Sequence, residues 1–263
     1  MDIEWRTLST GGSCTFRIVA VAEERTYMPF LTQPKTFETV MVWLVRAVVL
    51  MFSLSVHECA HGWMASRLGD DTALRSGRLT LNPLAHLTPI GGALIMLGAP
   101  VAWAKPVPVN PVNFDRKHSQ KSGMFKVALS GPVSNIILAF ISYFLRGVFF
   151  TVLNKTTSGS VGNTGSRIIL VVQLLLEMMF VLNLNLAVFN LLPIPPLDGS
   201  KVLGFFLPDR INIKMYQYER YIGIGFLILV IFFPTTLWRI MGVIRWPLTF
   251  LIRWPLDRFF NLF

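Results

Sequence analysis

An apolar run over residues 40 to 56 leads without a break into His57-Glu58-Cys59-Ala60-His61. Few folds can accommodate such a junction. Extended to about Gly69, the run predicts a helix long enough to cross a bilayer. Four residues advance a helix by about 400°, so His57 and His61 share one face with Glu58 to its side. Such a face presents two imidazole nitrogens to one zinc ion and holds a carboxylate near the attacking water. Two histidines and a glutamate at the end of a membrane-length helix are costly to bury unless they share a function.

The rest of the composition places the junction in a membrane. With 53% hydrophobic residues, 14% charged residues and a mean hydropathy of +0.55, the 263-residue chain is too apolar for a soluble domain and reads as an all-α polytopic membrane protein. The net charge of +10 lies in short loops beside apolar runs. There it sets orientation across the bilayer, and no nucleic-acid partner is expected. Cys14 and Cys59 are far apart, and Cys59 lies inside the histidine motif, so no disulfide framework is implied. The N-terminal residues lack a basic stretch followed by an apolar core, which predicts no cleavable signal peptide.

Residues 1–36 are mixed and polar, without an assignable role. After the first span, the apolar piece at residues 90 to 103 is short, glycine-containing and flanked on both sides by basic sequence, so it should dip into the membrane and return. Residues 101 to 110 read as an extended segment, because Pro106 and Pro108 forbid a helix and suit a short edge strand. A second span covers about residues 123 to 153, interrupted at 130 to 135. A third covers about 167 to 192 and breaks at Pro193-Ile194-Pro195-Pro196-Leu197-Asp198-Gly199. The basic stretch to about residue 220 reads as a loop, and a further span covers residues 221 to 233. Beyond it Ile244-Arg245-Trp246-Pro247-Leu248 recurs as Ile252-Arg253-Trp254-Pro255-Leu256, a basic and aromatic repeat suited to a membrane interface.

Basic loops mark the cytoplasmic side. The first span then carries His57 and His61 toward that side, and the third carries Asp198 back to it. Two histidines and a carboxylate, with one position left to water, are a known catalytic zinc set. The prolines free backbone groups around Asp198, and Gly199 would let the chain turn so that Asp198 points inward.

Three segments in this order, His57 to His61, Gly131-Pro132-Val133-Ser134-Asn135, and Asn190-Leu191-Leu192-Pro193 with Leu197-Asp198-Gly199, resemble the site-2 protease family of intramembrane zinc metalloproteases. The likeness covers about residues 40 to 199 and points to the compact branch, since there is no room here for a PDZ or CBS domain. It implies a three-helix catalytic core, here within residues 37–220, to which the hydropathy of residues 221–263 adds an extra span and an interfacial segment. It implies Zn2+ held by His57, His61 and Asp198, Glu58 as general base, and Asn135 near the active site, helping to hold substrate. The partners it implies are single-span or other membrane proteins, cut within their transmembrane segments in regulated intramembrane proteolysis. An unwound substrate could pair with the predicted edge strand. Many relatives carry an acidic residue where this chain has Thr88, so no role passes to that position. The absence of a transit peptide points to a bacterial plasma membrane.

Other readings compete. A zinc-binding membrane scaffold without proteolytic activity has no need of a base such as Glu58. A divalent-cation transporter should show two similar halves with broken helices in corresponding places, and this chain has one broken helix and no evident duplication. Asp198 could instead cap the following helix. His86 could support the site or make only a local hydrogen bond, and Asn135 could serve close helix packing. Glu177 and Arg46, at similar depth, are expected to pair. Oligomeric state is not encoded in any of these features.

Overall fold

A computed structural model describes residues 37–86, 105–156 and 163–260, which are helices and connecting turns with no β-strand among them. In chain order the helices are α1 (Phe37–Arg67), two single turns α2 (Thr72–Arg75) and α3 (Pro83–His86), α4 (Gln120–Thr156), α5 (Asn163–Asn190), α6 (Asp198–Phe206), α7 (Asp209–Gln217), α8 (Glu219–Phe232) and α9 (Pro234–Phe260). A 3-10 turn at Pro111–Asn113 precedes α4. The N-terminal segment, the expected re-entrant piece and Thr88 lie outside the described residues.

Three stretches, Val40–Arg67, Gln120–Leu153 and Arg167–Asn190, are long and apolar enough to cross a membrane. The last two helices, bent by 99° at their junction, add a fourth if they count as one broken span. Two expectations need correcting. The second span is not interrupted at residues 130 to 135, because α4 runs straight through Pro132. The hydroxyls of Ser130 and Ser134 bond back to the carbonyls of Val127 and Gly131 at 2.6 and 2.7 Å, so both polar side chains find their partners within the helix itself. Likewise the stretch before residue 220 is not a loop but α6 and α7. Lys121 at the start of α4 secures their junction, donating to the Leu207 carbonyl at 2.5 Å and meeting Asp209 at 3.2 Å.

Where α4 crosses its neighbours, the apolar faces close on one another. Ala47, Leu50 and Leu54 of α1 pack on Leu182 and Leu186 of α5. Ala139 and Tyr143 of α4 pack on Phe180 and Leu184, and Ile252 and Leu256 of α9 cover the same cluster. The C-terminal repeat is therefore more than a surface anchor. Its tryptophans do face outward, and Phe250 stacks between Trp246 and Trp254 at 6.0 and 6.2 Å. Its arginines turn inward: Arg245 donates to Asn185 at 2.9 Å and Arg253 meets Glu177 at 3.0 Å. Glu177 also meets Arg146 at 3.2 Å, so its partners are Arg146 and Arg253 rather than the expected Arg46, which stacks over Trp43 at 5.9 Å. Counting depth along a span cannot show which helix faces which, and the packing of α9 decided the pairing.

Candidate metal centre

His57 and His61, one turn apart on α1, direct their Nε2 atoms at the same point, 3.1 Å apart, with the rings edge to face. Asp198 begins α6 just past the proline-rich break, and its Oδ2 lies 3.2 Å from His57 Nε2 and 3.1 Å from His61 Nε2. All three side chains are buried. The capping alternative for Asp198 fails, since α6 has no side-chain cap hydrogen bond and the carboxylate is turned to the imidazoles. Its other oxygen, Oδ1, lies 3.8 Å from Lys201 Nζ.

Two glycines make this approach feasible. A Cβ on Gly131 would occupy the space of both imidazoles, so α4 can lie against the pair only with glycine there. Gly199 acts by the same means rather than by the turn expected of it. It sits inside α6, and a Cβ would strike the carbonyls of Leu191 and Leu192 at the end of the preceding segment.

The donor set fits zinc. Three acceptor atoms facing one another at 3.1 to 3.2 Å repel unless a cation or a shared proton lies among them. A tetrahedral zinc site with bonds of about 2.0–2.2 Å has edges of about 3.3–3.6 Å, a few tenths of an ångström above these separations. The outer nitrogens are engaged, which leaves the inner ones for the metal. His61 Nδ1 donates to the Val127 carbonyl at 2.7 Å, and His57 Nδ1 lies 2.6 Å from Asn135 Oδ1. Asn135 is fully buried, and its Nδ2 donates to Asn183 at 2.9 Å. Its amide is thus committed at both ends, and contact with substrate would require it to leave them.

Glu58 stands on the neighbouring face of α1, where its Oε2 accepts the backbone N–H of Val107 at 3.0 Å. Here the expected edge strand is corrected in part. Residues 101–104 lie outside the described residues, and 105–110 are not a strand. Pro106 and Pro108 have no N–H to offer a ladder. The N–H groups of Lys105, Val107 and Asn110 go instead to the His86 carbonyl, Glu58 and Asp70.

Asp70, just beyond α1 and fully buried, clamps this segment. It accepts the N–H of Asn110 at 2.7 Å, Nδ2 of Asn113 at 2.9 Å, and both the N–H and the hydroxyl of Thr72. Burial pushes the Asp70 carboxyl up, but the bonds from Thr72, Asn113 and Asn110 outweigh it and hold it below the usual carboxylate range. His86 is not in the metal cluster. Its Nε2 donates to the Thr80 carbonyl at 2.8 Å, the local hydrogen bond that was one of its two readings. Sequence reasoning missed Asn183, Asp70 and the Val107 N–H. An asparagine inside an apolar span was the only signal for the first.

A family model for peptidase family M50 matches residues 45–232. YwhC of Bacillus subtilis, which bears a zinc metalloprotease name, is 38% identical over 211 residues, 80% of this chain and 87% of that protein. MJ0611 of Methanocaldococcus jannaschii, similarly named, is 27% identical over 187 residues, 70% of this chain and 82% of that one. Rip2 of Mycobacterium tuberculosis strain H37Rv, also so named, is 25% identical over 218 residues, 81% and 76% of the two chains. No solved structure matches the chain. Joined to a zinc-competent cluster whose histidines lie on a membrane-length helix, these likenesses define a zinc metalloprotease that is an integral membrane protein. The chain belongs to peptidase family M50, the site-2 protease family.

Proposed function

We propose that the protein is an intramembrane endopeptidase that cuts membrane-spanning proteins within or near their transmembrane segments, as in regulated intramembrane proteolysis. One observation carries the reading: buried Nε2, Nε2 and Oδ2 atoms of His57, His61 and Asp198 lie within hydrogen-bonding distance of one another, beside Glu58, with both histidines and Glu58 on a helix of membrane-spanning length. In this reading the three residues hold Zn2+, which when bound supplies Lewis acidity to polarise the scissile carbonyl and acidify water. Glu58 takes the proton from the attacking water and returns it to the leaving amine. The Val107 N–H keeps one carboxylate oxygen of Glu58 oriented, so the other is left to face water. A substrate helix hides its peptide groups in its own ladder and must unwind before attack.

The loop charges support a site toward the cytoplasmic side; the proposed membrane is a bacterial plasma membrane, and single-span or other membrane proteins are the proposed partners. The test compares detergent-purified wild type with Glu58→Gln for bound zinc and for cleavage of a panel of single-span proteins. The variant should keep zinc and lose cleavage. Cleavage retained by it would remove Glu58 from its role, and a wild type that cuts none of the panel would refute the reading.

A further inference from the structure

Behind His57 a line of buried polar groups crosses three helices. Asn135 Oδ1 on α4 lies 2.6 Å from His57 Nδ1, and Asn135 Nδ2 donates to Asn183 Oδ1 on α5 at 2.9 Å. Asn183 Nδ2 in turn donates to Ser53 Oγ on α1 and to the Met179 carbonyl, each at 2.8 Å. Ser53, Asn135 and Asn183 are all fully buried. Water therefore does not compete for these bonds, and an unpaired amide here would carry its full desolvation cost.

The direction of every bond in this line follows from its far end. A backbone carbonyl can only accept, so the end of Asn183 that faces Met179 must be its NH2. That leaves Asn183 Oδ1 toward Asn135, which must answer with its own NH2. Asn135 then presents Oδ1 to His57, and His57 must carry its proton on Nδ1. The consequence is an Nε2 lone pair aimed at Asp198 and His61. We infer that Asn183 is a positioning residue for the metal centre, which through Asn135 fixes the tautomer of His57 by passing on the polarity of the Met179 carbonyl. His61 needs no such relay, because its Nδ1 meets the Val127 carbonyl directly. This inference rests on the assignment of His57, His61 and Asp198 as ligands.

The relay makes a prediction that packing does not. In an Asn135→Asp variant both oxygens of residue 135 are acceptors, so one of them meets His57 Nδ1–H whatever Asn183 does, while the other faces Asn183 Oδ1. Zinc affinity is measured by competition with a chromophoric chelator on the full chain in detergent, for wild type, Asn183→Leu, Asn135→Asp and the double variant. Asn183→Leu should weaken zinc about 10- to 100-fold, the usual effect of losing an outer-shell partner. Asn135→Asp, whose second oxygen opposes Asn183 Oδ1, serves only as the background, and adding Asn183→Leu to it should weaken zinc less than about threefold further. Should Asn183→Leu not accumulate, Asn183→Ser, which is too short to reach Asn135, carries the same expectations. Equal weakening in both backgrounds would reduce Asn183 to a packing role and overturn the inference, as would an Asn183→Leu protein that binds zinc like wild type. If instead His57→Ala retains the zinc of wild type, the ligand assignment itself fails and the relay falls with it.

Discussion

The backbone N–H of Val107 donates to the Oε2 of Glu58 across 3.0 Å, joining α1 to a proline-flanked segment far along the chain. A hydrogen bond to a charged group is worth about 1.5–3 kcal/mol, which is about 10- to 160-fold in rate if it is needed to orient the base. Val107→Pro removes the N–H and keeps an apolar side chain. It should lower kcat by that factor with zinc content unchanged, whereas Val107→Ala, which keeps the donor, should stay near wild type. Cleavage kinetics with zinc analysis on both variants check this.

Acid should loosen the same region through Asp70. Its folded-state pKa lies below the usual carboxylate value, so the stability it supplies is complete above the unfolded value of about 3.9 and drains away as pH falls from there through the folded value. Asp70→Asn leaves buried donors from Asn110, Thr72 and Asn113 facing a neutral and partly mismatched amide. At neutral pH it should cost about 1–3 kcal/mol. Thermal unfolding of wild type and variant, followed between neutral pH and about pH 3, should show the gap narrowing as the medium becomes more acidic.

Much of this architecture was legible in the sequence, and its gaps share one cause. Hydropathy and helical period locate α1, α4 and α5 and bring His57 and His61 onto one face, because those features are local. The ordered motifs carried Asp198 to the same place. Proline misled around Pro106 and Pro108, where the expected strand is an irregular segment held by Glu58 and Asp70, and the polar interruption at 130 to 135 lies inside α4 without breaking it. Which face of one helix meets which face of another is a matter of three-dimensional packing. For that reason depth along the spans pairs Glu177 with Arg46 instead of Arg146 and Arg253, and the arginine-tryptophan repeat of α9 reads as a surface anchor.

Glu177 should also decide whether α9 stays docked. It meets Arg146 of α4 and Arg253 of α9 at 3.2 and 3.0 Å in a partly buried setting. Glu177→Gln should cost about 1–3 kcal/mol, less than a fully buried pair, and should leave zinc bound. Limited proteolysis at the junction of α8 and α9, together with thermal unfolding in detergent, should show that junction becoming easier to cut. In the Arg253→Met background the same change should cost less, since one of its two partners is already gone.

The most direct test of the metal centre is zinc stoichiometry in purified wild type, Asp198→Ala and His86→Ala. One zinc per chain in wild type and in His86→Ala, and its loss in Asp198→Ala, is the result this account predicts. Zinc that survives Asp198→Ala but disappears in His86→Ala would contradict it.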